Sequence, residues 1–304
     1  MDASPALSVV VSTLGRQVEL ASLLRSLQHQ SDPDFELIVV DQNPEPIIAA
    51  LVRDARLSSF PVKYLHTPDE KGLSRGRNRG LGLARGEYAL FADDDCWYPP
   101  DFIELGLREL RERKLDVLTG RPTSEDGKPI LGRFEEAAQW IDRRNAWTTQ
   151  IEWIVFWRRD LLERMAGFDE MIGIGASSPW QSAEGQDLMF RALAAGARCW
   201  YDPGLNAHDR GFDRRNADAA AVVKARAYGR GMGHVMRKHR VGYGTQLYYL
   251  SRAVGGSVIA ALSRELPLAR YHAATAIGRL EGLMGKCFDG LWTSTGTKRK
   301  VSDR

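Results

Sequence analysis

At 304 residues, with 43% hydrophobic and 27% charged side chains, the chain has the make-up of a globular protein with a sizeable core, which excludes a disordered or fibrous polypeptide. Cys96, Cys199 and Cys287 are far apart and form no CxxC pair, which argues against a disulfide framework or a cysteine-built metal site and for a reducing compartment. The net charge of +3 conceals an asymmetry: residues 205–304 hold 18 Lys+Arg against 7 Asp+Glu, near +11, and the first 204 hold 24 against 32, near −8. Such a basic module calls for an anionic partner, nucleotide phosphates or a membrane surface ahead of nucleic acid.

The N-terminus, MDASPALSVVVSTLGR, lacks the basic n-region and long apolar run of a secretory signal. The most apolar later stretch, Ala253 to Leu262, lies between Arg252 and Arg264 and falls short of the roughly 20 residues a membrane span needs. The expected location is cytoplasmic, with peripheral attachment to the inner face of the membrane as the further expectation.

From the start, apolar β-branched runs alternate with helical patterns: LSVVVST, VELASLLRSLQHQ, FELIVVDQ, a helix near Pro46 to Ser58, VKYLHT, LSRGRNRGLGLARG and YALFADDD. That alternation predicts βαβ units, a mostly parallel Rossmann-like sheet flanked by helices. Its ligand edge lies beyond the carboxyl ends of the strands, where Ser12, Thr13, Asp41, Gln42 and Asp93 to Asp95 fall. A helix entered through Pro99 and Pro100, the strand DVLTGRP, the aromatic strand IEWIVFW, the helix RRDLLERMAG, a Gly/Ser-rich loop, the helix LMFRALAAG and the strand ARCWYD follow. Beyond about residue 216 the pattern is helical and basic, ending in KRKVSDR, a tail expected to be disordered. The expected division is a sheet domain over 1–215 and a helical extension over 216–304.

Asp93, Asp94 and Asp95 crowd three carboxylates onto the end of an apolar strand. A hard divalent cation, Mn²⁺ or Mg²⁺, suits them; so does capping of the helix that starts after Pro100, and spacing leaves both open. In LSRGRNRGLGLARG the arginines and Asn78 could hold a diphosphate or a base, or form a solvated basic face. Glu184 and Asp187, three apart at a helix start, share one face as a general base or as first-turn acids would. His208 is a metal ligand or an ordinary loop histidine.

Taken in order over residues 7 to 210, these segments resemble the family 2 glycosyltransferases of the GT-A fold: VVVSTLGR, IVVDQ, GLSRGRNRGL, ARGEYALFADDD with its DxD, GFDE, the helix start AEGQDLMFR and the ending DPGLNAH. The resemblance implies that Thr13 and Arg16 line a nucleotide pocket, Asp41 meets the base, and Arg77 and Asn78 contact base or phosphate. It further implies that Asp93 and Asp95 hold the metal, with Asp94 near the ribose and His208 completing the shell. The implied reaction is metal-dependent, inverting transfer from a nucleoside diphosphate sugar, UDP or dTDP favoured, to a hydroxyl of a glycan or lipid-linked acceptor, with Trp180 on the acceptor side. Surface polysaccharide assembly is the implied setting.

One departure concerns the base. Where the family carries an aspartate after the glutamate, this chain has Gly185, so the role falls to Asp187 or to Glu184, or the protein is a catalytically inactive sugar-nucleotide-binding partner. A nucleotidyltransferase is the enzymatic alternative, although STLGRQVELAS lacks its glycine-rich signature. On a helical wheel from Ala219 to Arg240, Arg226, Arg230 and Arg237 form a basic stripe expected to be solvated, to meet an anionic membrane, or to accompany a homodimer contact through the apolar helices.

Overall fold

A computed structural model describes residues 4–55, 60–211, 213–288 and 290. The basic tail from Lys298 lies outside them. In chain order the elements are β1 (Leu7–Thr13), α1 (Val18–Gln28), β2 (Phe35–Asp41), α2 (Ala49–Ala55), β3 (Val62–His66), α3 (Leu73–Leu81), β4 (Tyr88–Ala92), β5 (Cys96–Trp97), α4 (Phe102–Arg113), β6 (Val117–Thr123), β7 (Gln139–Trp140), β8 (Val155–Arg158), α5 (Arg159–Arg164), α6 (Glu184–Ala194), β9 (Cys199–Asp209), α7 (Ala219–Lys238), α8 (Tyr243–Leu262) and α9 (Leu266–Met284).

The strands form one sheet in the order β3-β2-β1-β4-β8-β6-β9-β5, with β7 added on β9. From β3 to β4 every pairing is parallel, and β8 runs antiparallel between β4 and β6. All seven residues of β1 and all seven of β2 are buried, as strands covered on both faces must be. The result is a GT-A-like α/β fold with helices following the sheet. IEWIVFW departs from expectation: Glu152–Ile154 make a 3₁₀ turn and only Val155–Arg158 pair as β8. Trp153 and Trp157 are core, whereas Trp140 stays half exposed at the sheet's edge against Trp200.

The chain divides into two compact units, Met1–Phe168 with Leu188–Gly211, and Asp169–Asp187 with Phe212–Arg304. The first holds the sheet. That the loop before α6 groups with the C-terminal helices is not foreshadowed by composition.

In the second unit α7 and α9 are in backbone contact. A Cβ on Gly278 would lie 2.0 Å from the Arg226 carbonyl oxygen, and one on Gly282 would lie 2.2 Å from that of Arg230, so nothing larger fits. Spacing of four places these glycines on one helix face. The same crossing corrects the expected basic stripe. Arg226 and Arg230 both donate to the fully buried Glu281, with nearest approaches of 2.6 and 2.7 Å, and Arg230 is itself buried. Their charge is spent inside the unit, and only Arg237 of the three is exposed.

Candidate functional site

The parallel register sets Val11 beside Ala92 and Thr13 beside Asp41, so the carboxyl ends of β1, β2 and β4 lie together. The aspartate turn follows β4 there. Thr13 Oγ1 donates to Asp94 Oδ2 at 2.7 Å, and Arg16 Nη1 reaches Asp94 Oδ1 at 2.8 Å while also pairing with Asp95. Arg77, 1% exposed, donates to Asp93 Oδ1 at 2.7 Å. Asp94 turns into the protein with 12% of its side chain exposed, whereas Asp93 and Asp95 each keep 32%. The turn does not cap a helix: α4 starts only at Phe102, its N-cap is Asp101, and β5 intervenes.

Burial raises the Asp94 carboxyl above its usual range, and Asp95 adds to the shift against the opposing pull of Thr13 and Arg16. For Arg16, burial alone would lower the guanidinium, but Asp94 and Asp95 outweigh it and the net shift is upward. Burial, then the charge of Asp95, likewise raises Asp209, at the end of β9. Asp209 pairs in register with Cys96, the residue after Asp95.

Asp95 and Asp209 are therefore two carboxylates near enough for one to act on the other, with Arg16 beside both. Among the described residues no group of three or more His, Cys, Asp or Glu side chains is arranged to hold a metal ion. A pair of carboxylates still fits Mg²⁺ or Mn²⁺, which commonly complete their shells with water and substrate phosphates. His208 stands next to Asp209 on β9, with its Nδ1 3.1 Å from Thr123 Oγ1 and its ring 5.9 Å from that of Trp97. Asp209 was not singled out in the sequence, although its place in AHDRG, at the end of a strand, is the available signal.

The glycines of α3 serve packing. A Cβ on Gly76 would sit 2.0 Å from Ser12 Oγ, and one on Gly80 would sit 2.2 Å from Val10 Cγ1, so α3 lies directly on β1 and delivers Arg77 to the aspartates. Asn78 is a bracket: Oδ1 accepts from Phe168 N at 2.8 Å and Nδ2 donates to Phe168 O at 3.0 Å. Gly167, at φ +67°, is required next to it, because a Cβ there would come within 2.5 Å of Asn78 Oδ1.

Asp41 is also fully enclosed. Asn43 N and Nδ2 donate to its Oδ1 at 2.9 and 2.7 Å, and Tyr64 donates its hydroxyl to Oδ2 at 2.7 Å. Asn43 Oδ1 in turn accepts from Gly15 N at 2.7 Å. Asp41 thus acts on the loop that carries Arg16.

In the second unit, Asp187 is completely buried. Lys238 Nζ lies 2.8 Å and His239 Nε2 lies 2.7 Å from its Oδ1. Neither partner was singled out in the sequence, since each stands some fifty positions away in sequence. Glu184, in the first turn of α6, retains 9% exposure and follows Ala183, a non-glycine at φ +68°. Trp180 stacks on His234, centroids 4.4 Å apart and planes within 13°. Burial, followed by Arg237 and Lys238, pushes His234 down to about 4.

Comparison with known proteins places these features in context. The family model described as glycosyl transferase family 2 matches residues 8–166. The chain is 37% identical over 92 residues to the GalNAc(5)-diNAcBac-PP-undecaprenol beta-1,3-glucosyltransferase of Campylobacter jejuni, covering 30% of each chain. It is 25% identical over 192 residues to EpsJ, an uncharacterized glycosyltransferase of Bacillus subtilis, covering 58% of this chain and 55% of the relative. The match spans about a third of the length of the first curated relatives, 30 to 35%.

Among solved structures, the mannosyltransferase PcManGT of Pyrobaculum calidifontis, in complex with GDP-Man and Mn²⁺, superposes with a TM-score of 0.68 at 14% identity, over 95% of this chain and 89% of that one. S. aureus TarS 1-349 in complex with UDP-GlcNAc superposes at 0.56 and 17% identity, over 93% of each. At such identities the likeness is one of fold.

Proposed function

The chain belongs to glycosyl transferase family 2, and from that premise we propose that it transfers a sugar from a nucleoside diphosphate sugar to an acceptor hydroxyl with inversion at the anomeric carbon. The observation that carries the reading is Arg16 laid across Asp94 and Asp95 at the joined ends of β1 and β4. Fixed cations beside partly exposed carboxylates can receive a diphosphate and a divalent cation together.

Thr13 and Arg16 bind and orient the donor, Arg77 holds Asp93, and Asp95 with Asp209 are the residues that would hold Mn²⁺ or Mg²⁺. An ion held there would supply positive charge that offsets the charge of the diphosphate leaving group. Asp41 and Asn78 support these groups from behind, in place of the base contact that the resemblance implied for Asp41 and the base or phosphate contact that it implied for Asn78. His208, held by Thr123, is not assigned to the metal in this reading.

The acceptor oxygen forms its bond to the anomeric carbon as the bond to the diphosphate breaks, and the acceptor proton passes to a carboxylate. We assign that role to Glu184. Asp187 is fully buried against Lys238 and His239, and Glu184, 9% exposed, follows a strained residue, a feature that gathers at functional sites. Asp187 is then the residue that anchors α6, and Trp180, stacked on His234, stays assigned to the acceptor side.

UDP and dTDP sugars are the first donors to test, with GDP-mannose beside them because a protein of like fold binds it. A glycan or lipid-linked acceptor fits a relative whose substrate is linked to PP-undecaprenol. Product analysis decides the reaction class. Released nucleoside diphosphate supports the transferase; pyrophosphate would assign a nucleotidyltransferase, and donor binding without turnover across an acceptor panel would assign an inactive binding partner.

A further inference from the structure

α8 has two faces of different character. Its inner face is small and polar: Ser257 Oγ donates to the Ala269 carbonyl at 2.9 Å, Ala253 and Ala260 are buried, and Gly256 lies against the His272 ring. Its outer face is apolar and open to solvent, with Leu247 66%, Val258 54%, Ile259 67% and Leu262 80% exposed. Tyr243, 88% exposed, stands at its first turn. A soluble protein rarely leaves so many large apolar side chains together in water without a use for them.

Inside α8 the charge has one sign, and the acid that follows Arg264, Glu265, is half-buried as the N-cap of α9. No Asp or Glu occurs anywhere in α8, while Arg252 flanks the stripe beside Tyr248, and Arg240 and Arg264 stand exposed just outside its two ends. Twenty residues give a rod roughly 30 Å long, apolar along one side and cationic along its margin and ends. No helix among the described residues is long and apolar enough to cross a membrane, so the rod lies on a surface if it meets one. A second copy packed through the same helix would set Arg240, Arg252 and Arg264 against their own counterparts, whereas an anionic surface complements them.

We propose that α8 lies in the interfacial layer of an anionic lipid bilayer, with Leu247, Val258, Ile259 and Leu262 below the headgroups and Arg240, Arg252 and Arg264 on lipid phosphates. This differs from docking by the stripe on α7, whose Arg226 and Arg230 are committed to Glu281. The proposal does not rest on the transferase reading, because it is measured as membrane partition in the absence of any sugar nucleotide.

The test is co-sedimentation of the full chain with vesicles of phosphatidylcholine alone and of phosphatidylcholine mixed with phosphatidylglycerol. The chain is expected on the mixed vesicles and not on the neutral ones, with partition falling as salt rises. Leu247→Asp with Leu262→Asp, both at exposed positions, should lower partition about tenfold or more at unchanged melting temperature. Arg252→Glu with Arg264→Glu should do the same. Three results overturn the proposal: no binding of the parent to either vesicle; equal binding of parent and Leu247→Asp/Leu262→Asp, which would assign the contact to the basic tail; or a concentration-dependent dimer that the same pair abolishes without any vesicle binding.

Discussion

Arg16 spans two carboxylates of the aspartate turn, its Nη1 2.8 Å from Asp94 Oδ1 and paired with Asp95 as well. The guanidinium supplies the positive charge that the crowded turn needs. In Arg16→Ala the turn loses that charge, and a divalent cation should replace it. Thermal shift is the measure: Mn²⁺ alone should stabilise the variant more than the parent, while nucleoside diphosphate should stabilise it less, since a fixed phosphate-binding group is gone.

The two acidic residues of α6 should separate in a pair of variants. Asp187→Asn leaves Lys238, which keeps its pair with Asp169, and His239 against a buried amide, and a weakened buried hydrogen-bonded contact costs about 1–3 kcal/mol. Urea unfolding should register that loss. Glu184→Gln should leave the unfolding midpoint almost unchanged and lower kcat by about 10²-fold or more, as loss of a general base does. The reverse pattern would move the base to Asp187.

Gly76→Ala tests why α3 is rich in glycine. The added methyl would sit 2.0 Å from Ser12 Oγ, so α3 must lift from β1, at a cost of about 1–3 kcal/mol. Because Arg77 is the next residue, nucleotide affinity should fall with stability. Gly82→Ala, whose Cβ would have nothing nearer than 3.5 Å, should change neither.

His234 should give stability a pH dependence. Folding lowers its imidazole from 6.5 to about 4 through burial and the nearby Arg237 and Lys238, with Asp169 and Asp187 pulling the other way. Between these values the unfolded chain takes up a proton that the folded chain refuses, so stability falls as pH drops from about 6.5 to about 4 and this contribution levels off below. The melting temperature measured across that window should slope less in His234→Phe, which keeps a ring against Trp180.

The parallel half of the sheet was legible because each buried strand is apolar throughout and each connecting helix has a 3.6-residue period. LSVVVST and FELIVVD announce themselves in this way. β8 did not, since IEWIVFW carries the same aromatic pattern whether it turns or pairs. In the candidate site the positions of Thr13 and the three aspartates could be read from strand ends, whereas Arg16 came from the family resemblance alone. Asn78 and Asp41 could not be read as braces, because an amide or carboxylate at a ligand edge looks the same in sequence whether it faces a ligand or the backbone behind it. The partners of Asp187 and of Glu281 were hidden for a related reason. They are joined across more than fifty positions by packing that no local period encodes.

The central claim is that the aspartate turn binds a nucleoside diphosphate through a divalent cation. Calorimetric titration of UDP, dTDP and GDP into the full chain, in Mn²⁺ and in EDTA, tests it most directly when repeated with Asp95→Asn. At least one nucleotide is predicted to bind in Mn²⁺ and to lose about tenfold or more in affinity both in EDTA and in the variant, with the melting temperature of the unliganded variant unchanged. Binding of equal strength in EDTA and in Asp95→Asn, or no binding of any of the three, would contradict it.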